Sequence, residues 1–356
     1  MKSKLNHIVI LEGETRSGKT TTLQNYFKGK PNVRGFLTPD LNGVRKLYTL
    51  SDDAFHEFEA ASGEADKTIA IGRFHFYKDA FETGRNALQD FPKKLTFWML
   101  VDEWGPLESS GKGFEPNFSV MIQNIEEHSM GVALVVVRKS LVSAFAEKYG
   151  TPALVIEKSV LQKCEYTAAV VLCGGLSSRM GTAKALIEYQ DGLPQYLAMV
   201  RLTKNLCNRI FVAHGSVTIP KSSEYELIAD VQADQGPAAG VLAAFRQQNE
   251  HLLVCGCDYP LLHLVDLLAL FAEDDHCLAV CYADESAAFA DPLLCFYHRA
   301  CLPLMEKWYE AGNRSLRHFI STIPHVVLNA TEPNRIKSID TPSQLNTIKR
   351  LLNGAD

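Results

Sequence analysis

No cysteine precedes Cys164, although the 356-residue chain holds nine. An odd number without framework spacing excludes a secreted disulfide scaffold and points to reduced thiols. No apolar run reaches the length of a membrane span, and the opening MKSKLNHIVILEGE turns polar too early for a signal peptide. Membrane insertion and secretion are therefore not expected, and the expected compartment is the cytoplasm. Positive charge is not in excess either, with a formal net charge of −5. A nucleic-acid binder needs a basic face, so no nucleic-acid partner is expected. There is no internal repeat and no low-complexity tract.

What is present is an ordinary globular composition, 46% hydrophobic and 22% charged. The length is more than one compact core usually takes, so two domains are expected. Charge divides the chain as cysteine does. Residues 1–163 carry 21 Lys+Arg against 20 Asp+Glu, net +1, and residues 164–356 carry 15 against 21, net −6. The seam falls near EKSVLQKCEYTAAVVL, where a charged stretch gives way to an apolar one. The expected domains are 1–163 and 164–356, both α/β, each a mainly parallel sheet with helices on both faces.

HIVILEGETRSGKTTTLQNYF reads as strand, glycine loop and helix: His7–Leu11 is an apolar run and Thr20–Phe27 can continue as a helix. Gly13-x-x-x-x-Gly18-Lys19-Thr20 is the phosphate-binding pattern in its expected setting. Glycines let backbone amides turn toward phosphate oxygens, and the helix start adds its positive end. Lys19 would reach the β- and γ-phosphates, with Thr21 beside it in the nucleotide site, and the Thr20 hydroxyl would hold Mg²⁺. A plain Gly-rich turn is the competing reading; the strand before and the helix after favour phosphate. Farther on, the apolar run Leu95–Val101 ends in Asp102-Glu103. Asp102 is a candidate metal ligand, and Glu103 a candidate for positioning or deprotonating the attacking water. Two solvated acids capping a strand are the alternative.

Together with GxxxxGKT, the stretches Val33-Arg34-Gly35-Phe36-Leu37-Thr38, Ile71-Gly72-Arg73-Phe74, Asp102-Glu103-Trp104-Gly105-Pro106-Leu107-Glu108 and Val135-Val136-Val137-Arg138 resemble the small P-loop nucleoside-triphosphatase family whose acidic signature runs DEIGPxE. Trp104 stands where an aliphatic residue is usual. The resemblance spans roughly residues 5–160 and implies a P-loop fold that binds ATP or GTP. No base-recognition motif is visible, so the nucleotide stays open.

LCGGLSSRMGTAK, Leu172–Lys184, follows the apolar run Ala168–Leu172, and in open α/β sheets ligands bind at the carboxyl ends of strands. Gly174 and Gly175 permit close backbone approach to a base and a triphosphate. Arg179 offers a planar fork for phosphate, and Lys184 a point charge at the α-phosphate, where negative charge grows during nucleotidyl transfer. Ser177 fits as a hydrogen-bond donor to phosphate; no His/Asp pairing supports a serine nucleophile.

The pattern L-x-G-G-x-S-x-R-M-G-x-x-K resembles the molybdenum cofactor guanylyltransferase family and its cytidylyl-transferring relatives. Leu172, Gly174, Gly175, Ser177, Arg179, Met180, Gly181 and Lys184 meet every fixed position. Asp234-Gln235-Gly236-Pro237-Ala238-Ala239-Gly240 resembles the family's D-x-GPLAG, Cys257-Asp258-Tyr259-Pro260 its CDMP, Asp291-Pro292-Leu293 its x-PL entry, and Ser338-Ile339-Asp340-Thr341-Pro342 its N-x-NTP. The resemblance implies a Rossmann-like nucleotidyltransferase fold over residues 166–354. Asp258 ends the strand Leu252–Cys255 and would hold Mg²⁺ against the phosphates; a cap for a helix over Leu261–Phe271 is the alternative. Gly236 and Gly240 would let a helix over Ala238–Gln248 pack near the base, and Asp234 could bond base or ribose. Ser338 and Asp340 fall on the substrate side, where a carboxylate would repel a phosphate unless a cation lies between them. The cysteines Cys255, Cys257, Cys277 and Cys281 read as small buried hydrophobes rather than zinc ligands.

The expected activity is bifunctional. The carboxyl-terminal half would transfer GMP, or CMP, from a nucleoside triphosphate to the phosphate of molybdopterin with Mg²⁺, releasing pyrophosphate. The amino-terminal half would bind and hydrolyse a nucleoside triphosphate. A sugar-phosphate or other nucleotidyltransferase is the alternative for the former. A nucleotide-gated delivery module, with molybdoenzyme apo-proteins or other cofactor-synthesis proteins as partners, is the alternative for the latter.

Overall fold

The computed structural model describes residues 4–60, 66–92, 96–128, 131–174, 183–189, 192–229, 236–273, 276–283 and 289–352. The chain divides into two units, one ending at Gln162 and the other beginning at Lys163. Among the described residues no helix is long and apolar enough to cross a membrane.

In the first unit the strands are β1 (Ile8–Gly13), β2 (Val33–Leu37), β3 (Asp40–Leu41), β4 (Val44–Thr49), β5 (Ala54–Glu57), β6 (Glu59–Ala60), β7 (Thr68–Ile71), β8 (Phe74–Tyr77), β9 (Trp98–Trp104), β10 (Val132–Arg138) and β11 (Leu154–Ile156). The main sheet runs β11-β1-β10-β9-β2-β4-β3, with β5 also on β4. The five strands from β11 to β2 are parallel to one another. Ile8–Leu11, Trp98–Val101 and Val132–Val137 are buried along their whole length, as parallel strands covered on both faces must be. Helices α1 (Lys19–Phe27), α2 (Lys78–Ala87), α3 (Pro106–Ser109), α4 (Asn117–His128) and α5 (Val142–Tyr149) complete the unit, and α6 (Lys158–Glu165) contains the division.

Two features correct the expectation of a mainly parallel sheet here. Strands β3, β4 and β5 add an antiparallel edge, and β6, β8 and β7 form a separate antiparallel sheet. These strands are two to six residues long and mixed in polarity, too short for a clear period-two signal. The acidic pair is also placed differently: Asp102 and Glu103 lie inside β9, which continues through Trp104. Between Val135↔Val101 and Val137↔Trp104 the register shifts, because β9 carries one residue more than β10. That bulge re-aims the strand at its carboxyl end.

Gly35 shows why a glycine stands in VRGFL. Its φ is +91°, and a Cβ there would lie 2.1 Å from the Leu100 carbonyl oxygen of β9. Gly35→Ala therefore adds backbone strain to a clash that only separation of β2 from β9 relieves. The expected loss is about 3 kcal/mol, read as a lower urea midpoint for the first unit at unchanged slope.

In the second unit the strands are β12 (Thr167–Leu172), β13 (Arg209–Ala213), β14 (Glu226–Ile228), β15 (His251–Gly256), β16 (Ala279–Ala283), β17 (Ala290–Tyr297) and β18 (His325–Leu328). Their order is β14-β13-β12-β15-β17-β16-β18. Only β17 runs against its neighbours, so this sheet is mainly parallel. Helices are α7 (Gln195–Lys204), α8 (Pro237–Arg246), α9 (Leu264–Ala269), α10 (Cys301–Glu310), α11 (Leu316–Ser321) and α12 (Pro342–Leu352). The core gathers β12, β15, β17 and the Ala-rich α8 around Phe245, Tyr297 and Phe319. Ala238, Ala239, Gly240, Ala243 and Ala244 give α8 small side chains, and all five are buried. A separate apolar cluster joins Ile187 and Tyr189 to Ile339 and Ile348, which seats α12 beside the segment that follows Lys184. All nine cysteines are free thiols; Cys255, Cys281, Cys295 and Cys301 lie fully buried in this unit.

Candidate functional site

The first candidate site lies at the carboxyl ends of β1, β9 and β10. Between β1 and α1 the chain turns so that Gly18, at φ +83°, caps the helix. Lys19 folds back over this turn. Its Nζ donates to the carbonyls of Gly13 (2.9 Å) and Glu14 (2.7 Å) and to Ser17 Oγ (3.2 Å). Gly13 makes that possible, since a Cβ there would come within 3.3 Å of Lys19 Cδ. Burial lowers the Lys19 pKa, which Asp102 partly counters. An ammonium held by two carbonyls and a hydroxyl, all neutral, is suited to exchange them for phosphate oxygens.

Asp102 is 2% exposed. It accepts hydrogen bonds from Thr38 N (2.9 Å) and Thr38 Oγ1 (3.3 Å). Burial raises its pKa; those donors oppose the rise. Thr20 and Asp102, predicted as metal ligands from separate segments, line the same cavity. Thr38 was visible only as part of the VRGFLT stretch; nothing in its residue type marked it as the group that orients Asp102.

Glu103 takes the bulge position at φ +104°. Non-glycine residues hold such a backbone only where the surroundings enforce it, and these cluster at functional sites. Arg45 of β4 bonds Glu103 Oε2 at 3.3 Å and Arg138 of β10 bonds Oε1 at 3.1 Å. Arg45 also bonds Glu59 and lies over the rings of Phe74 and Phe76. Sequence reading did not single out Arg45, because its strand is short and pairs with Glu103 only through the sheet. Glu108, the last acid of DEWGPLE, accepts from Gly105 N and Phe114 N and so shapes the following loop. A cavity of about 970 Å³ opens over these groups, lined among others by Lys19, Thr20, Thr21, Asp102, Glu103 and Arg138.

The second candidate site lies at the carboxyl ends of β12 and β15. Of the residues expected there, Gly175, Ser177, Arg179 and Asp234 lie outside the described residues. Leu172 ends β12, and Gly174 stands just beyond it, where a Cβ would touch the backbone of Gly215. Gly236, at φ +76°, caps α8, and Gly240 lies buried within that helix. Asp258 does not cap the following helix: α9 begins at Leu264, and its capping residues are His263 and Asp266. That frees Asp258 for the site.

Lys184 and Asp258, 74 residues apart by number, meet here with Nζ 3.8 Å from Oδ2. Lys184 Nζ also bonds Asp340 Oδ1 at 2.5 Å. Ser338 Oγ bonds the other Asp340 oxygen, and Ile339 N donates to the Asp258 carbonyl. The cation required beside Asp340 is therefore Lys184. Among the described residues Asp258 Oδ1 is buried without a hydrogen-bond partner, and a Cβ on Gly256 would fall 2.4 Å from it. An orphaned carboxylate oxygen in a cradle kept open by a glycine fits a divalent cation. Among the described residues no group of three or more His, Cys, Asp or Glu forms a full cage; Mg²⁺ characteristically takes one or two carboxylates and completes its shell with phosphates and water.

Burial pushes the Asp258 carboxyl up to about 6; Lys184 counters this and Asp291 adds to it. Between the ordinary 3.8 and about 6 the folded chain then binds more protons than the unfolded one, so stability falls as pH rises through that window. In Mg²⁺-free buffer at pH 7.5, Asp258→Asn is expected to melt above the parent, by up to about 3 kcal/mol. The advantage should vanish below pH 4, as scanning calorimetry would record.

A model of the MobA-like NTP transferase domain matches residues 169–326. A "Probable molybdenum cofactor guanylyltransferase" of Flavobacterium johnsoniae is 27% identical over 193 residues, covering 52% of this chain and 97% of that protein. One of Rhodopirellula baltica is 30% identical over 190 residues, covering 49% of this chain and 88% of that protein. Among solved structures, molybdopterin-guanine dinucleotide biosynthesis protein A from Archaeoglobus fulgidus, 19% identical, covers 52% of this chain and 99% of that one at a TM-score of 0.44. With the glycine-rich motif, the strand-end aspartate and a 30% identical relative covered over most of its length, the chain belongs, through its carboxyl-terminal half, to the MobA-like NTP transferase family.

Proposed function

We propose that the carboxyl-terminal unit transfers the nucleoside monophosphate of GTP to the phosphate of molybdopterin and releases pyrophosphate. The observation that carries this reading is the meeting of Lys184 with Asp258 at the end of the glycine-rich segment. The relatives' printed name, guanylyltransferase, supports GTP over CTP as the donor. An oxygen of the acceptor phosphate attacks the α-phosphorus; the bond to the bridging oxygen breaks, and pyrophosphate leaves with the electron pair. No protein nucleophile is needed. Lys184 supplies positive charge where the α-phosphate oxygens gain negative charge, Arg179 is assigned the same task on the triphosphate, and Gly174 keeps the backbone open to the nucleotide. Asp258 would hold Mg²⁺, whose chemistry is to neutralise and orient the phosphates. Asp340 keeps Lys184 turned toward the acceptor side. Incubating the chain with Mg²⁺, molybdopterin and each nucleoside triphosphate in turn, while following pyrophosphate, tests the reading: release with GTP is expected, and release with none of the four overturns it. Asp340→Asn should leave donor KM nearly unchanged and alter acceptor KM by roughly threefold or more, because it frees Lys184 from a full counter-charge.

For the amino-terminal unit we propose binding and hydrolysis of a nucleoside triphosphate. Its support is a buried Asp102 that acts electrostatically on Lys19 and lines one cavity with Lys19 and Thr20. Phosphate oxygens would take over Arg45 and Arg138, leaving the Glu103 carboxylate to orient water. Unchanged phosphate release in Glu103→Gln would instead favour a binding or delivery module.

A further inference from the structure

The stretch Ile71-Gly72-Arg73-Phe74 takes no part in the seat formed by Lys19 and Asp102. It is the tip of the hairpin joining β7 to β8, where Ile71 pairs with Phe74 and Gly72 turns the chain at φ +60°. Ile71, Arg73 and Phe74 nevertheless line the same cavity as Lys19, Asp102 and Glu103. Four more rings of that cavity, Phe58, Phe76, Phe81 and Phe114, are at most 4% exposed and pack on one another as core. Ile71 and Phe74 are only half-buried, so they are the part of the apolar wall that a ligand can reach.

Arg45 ties this wall to the phosphate end of the cavity. Its guanidinium lies 4.9 Å from the Phe74 ring centre and 4.5 Å from that of Phe76, and it bonds Glu103 at 3.3 Å. Arg73 also lies 4.9 Å from the Phe74 ring centre. Arg45 is balanced by Glu59 and Glu103, whereas among the described residues Arg73 pairs with no carboxylate. A hydrolase needs room for one water beside the γ-phosphate. Here the space continues past Glu103 onto an accessible aromatic face and a cation without a counter-charge. Aromatic faces stack on bases, and a guanidinium fork grips phosphate.

We propose that this corner is an acceptor subsite, and that the amino-terminal unit passes the γ-phosphoryl group of its nucleoside triphosphate to the phosphate of a nucleoside monophosphate. The proposal rests on the reading of the Lys19 loop as a nucleoside-triphosphate seat. Arg45 and Arg73 hold the acceptor phosphate, and Ile71 and Phe74 take its base. An oxygen of that phosphate attacks the γ-phosphorus; the bond to the β–γ bridging oxygen breaks, and the electron pair leaves with the nucleoside diphosphate. The acceptor gains one phosphoryl group and becomes a diphosphate. A phosphate dianion needs no proton removed, which suits a Glu103 whose two oxygens are each engaged by an arginine. With the subsite empty, water takes the group, which is the hydrolysis proposed above.

The test uses the full chain carrying Lys184→Ala, which slows the carboxyl-terminal unit, with Mg²⁺, ATP or GTP labelled at the γ-phosphate, and AMP, GMP, CMP, UMP or dTMP. Chromatography separates labelled nucleoside diphosphate from labelled inorganic phosphate. At least one monophosphate should yield labelled diphosphate faster than inorganic phosphate forms in the same tube, and Lys19→Ala should lower both products together. Arg73→Gln should raise the acceptor KM by about tenfold or more. Phe74→Leu, which keeps apolar bulk but loses the flat face, should raise it by about threefold or more, again chiefly in KM rather than kcat. No labelled diphosphate from any of the five monophosphates overturns this inference. Release of inorganic phosphate alone then leaves hydrolysis standing, whereas failure of the chain to retain labelled nucleotide in equilibrium dialysis removes the reading of the loop as well. Transfer whose acceptor KM stays within twofold of the parent in both Arg73→Gln and Phe74→Leu overturns the placing of the acceptor at this hairpin.

Discussion

Lys184→Ala is expected to slow pyrophosphate release by about 10²-fold or more, chiefly in kcat. The ammonium stands 3.8 Å from Asp258 and 2.5 Å from Asp340, on a short 3₁₀ turn just past the glycine-rich segment. In the proposed reaction the donor would be bound by several groups besides Lys184, so the loss of one cation should weaken ground-state affinity modestly. The transition state is different: negative charge grows on the α-phosphate oxygens, and a fixed positive charge in a half-buried site stabilises that change most. Removal also leaves Asp258 and Asp340 facing the phosphates without their shared counter-charge. Lys184→Arg should restore only part of the rate, because a planar fork cannot occupy the place of a compact ammonium between two carboxylates. Equal loss in KM and none in kcat would show that Lys184 binds nucleotide without serving the chemical step. Rapid-quench measurement with the donor labelled at its α-phosphate separates the outcomes.

Lys19→Ala is expected to weaken nucleotide binding to the amino-terminal unit by on the order of 10²-fold, about 3 kcal/mol, while pyrophosphate release by the carboxyl-terminal unit persists. Lys19 is half-buried and already satisfied by Gly13 O, Glu14 O and Ser17 Oγ. Its removal therefore leaves carbonyl oxygens facing the phosphates, a repulsive arrangement, rather than an empty space. Fluorescence titration with a labelled nucleotide reads the affinity, and the two activities assayed side by side show whether the sites are separable. Loss of both activities would mean that the loop serves the whole chain and would overturn the assignment of a second, independent nucleotide site.

Some of this was legible in residue order. Buried β-branched runs such as IVIL, VALVVV and TAAVVL declare central strands, because only a strand covered on both faces can be apolar without alternation. Glycines before a lysine at a strand-to-helix turn mark a candidate phosphate seat, because the requirement is local: a few amides, a positive φ and a helix start. Asp258 was found in the same way, as an acid at the end of such a run. The short strands of residues 40–77 were not legible; their polarity is set by which neighbours they meet. Nor was the bulge in β9, which changes Glu103 from a strand-end acid into a strained residue gripped by two arginines.

The division follows from distance along the chain. Residue order alone fixed the two nucleotide-seat candidates, the approximate seam between them and the identity of each lysine and strand-end aspartate, since each depends on neighbours within a few positions. Only the folded arrangement decided that Lys184 answers both Asp258 and Asp340 and that Thr38 supports Asp102. Those pairs are separated by tens to more than a hundred residues, and it is tertiary packing, not sequence pattern, that brings them together.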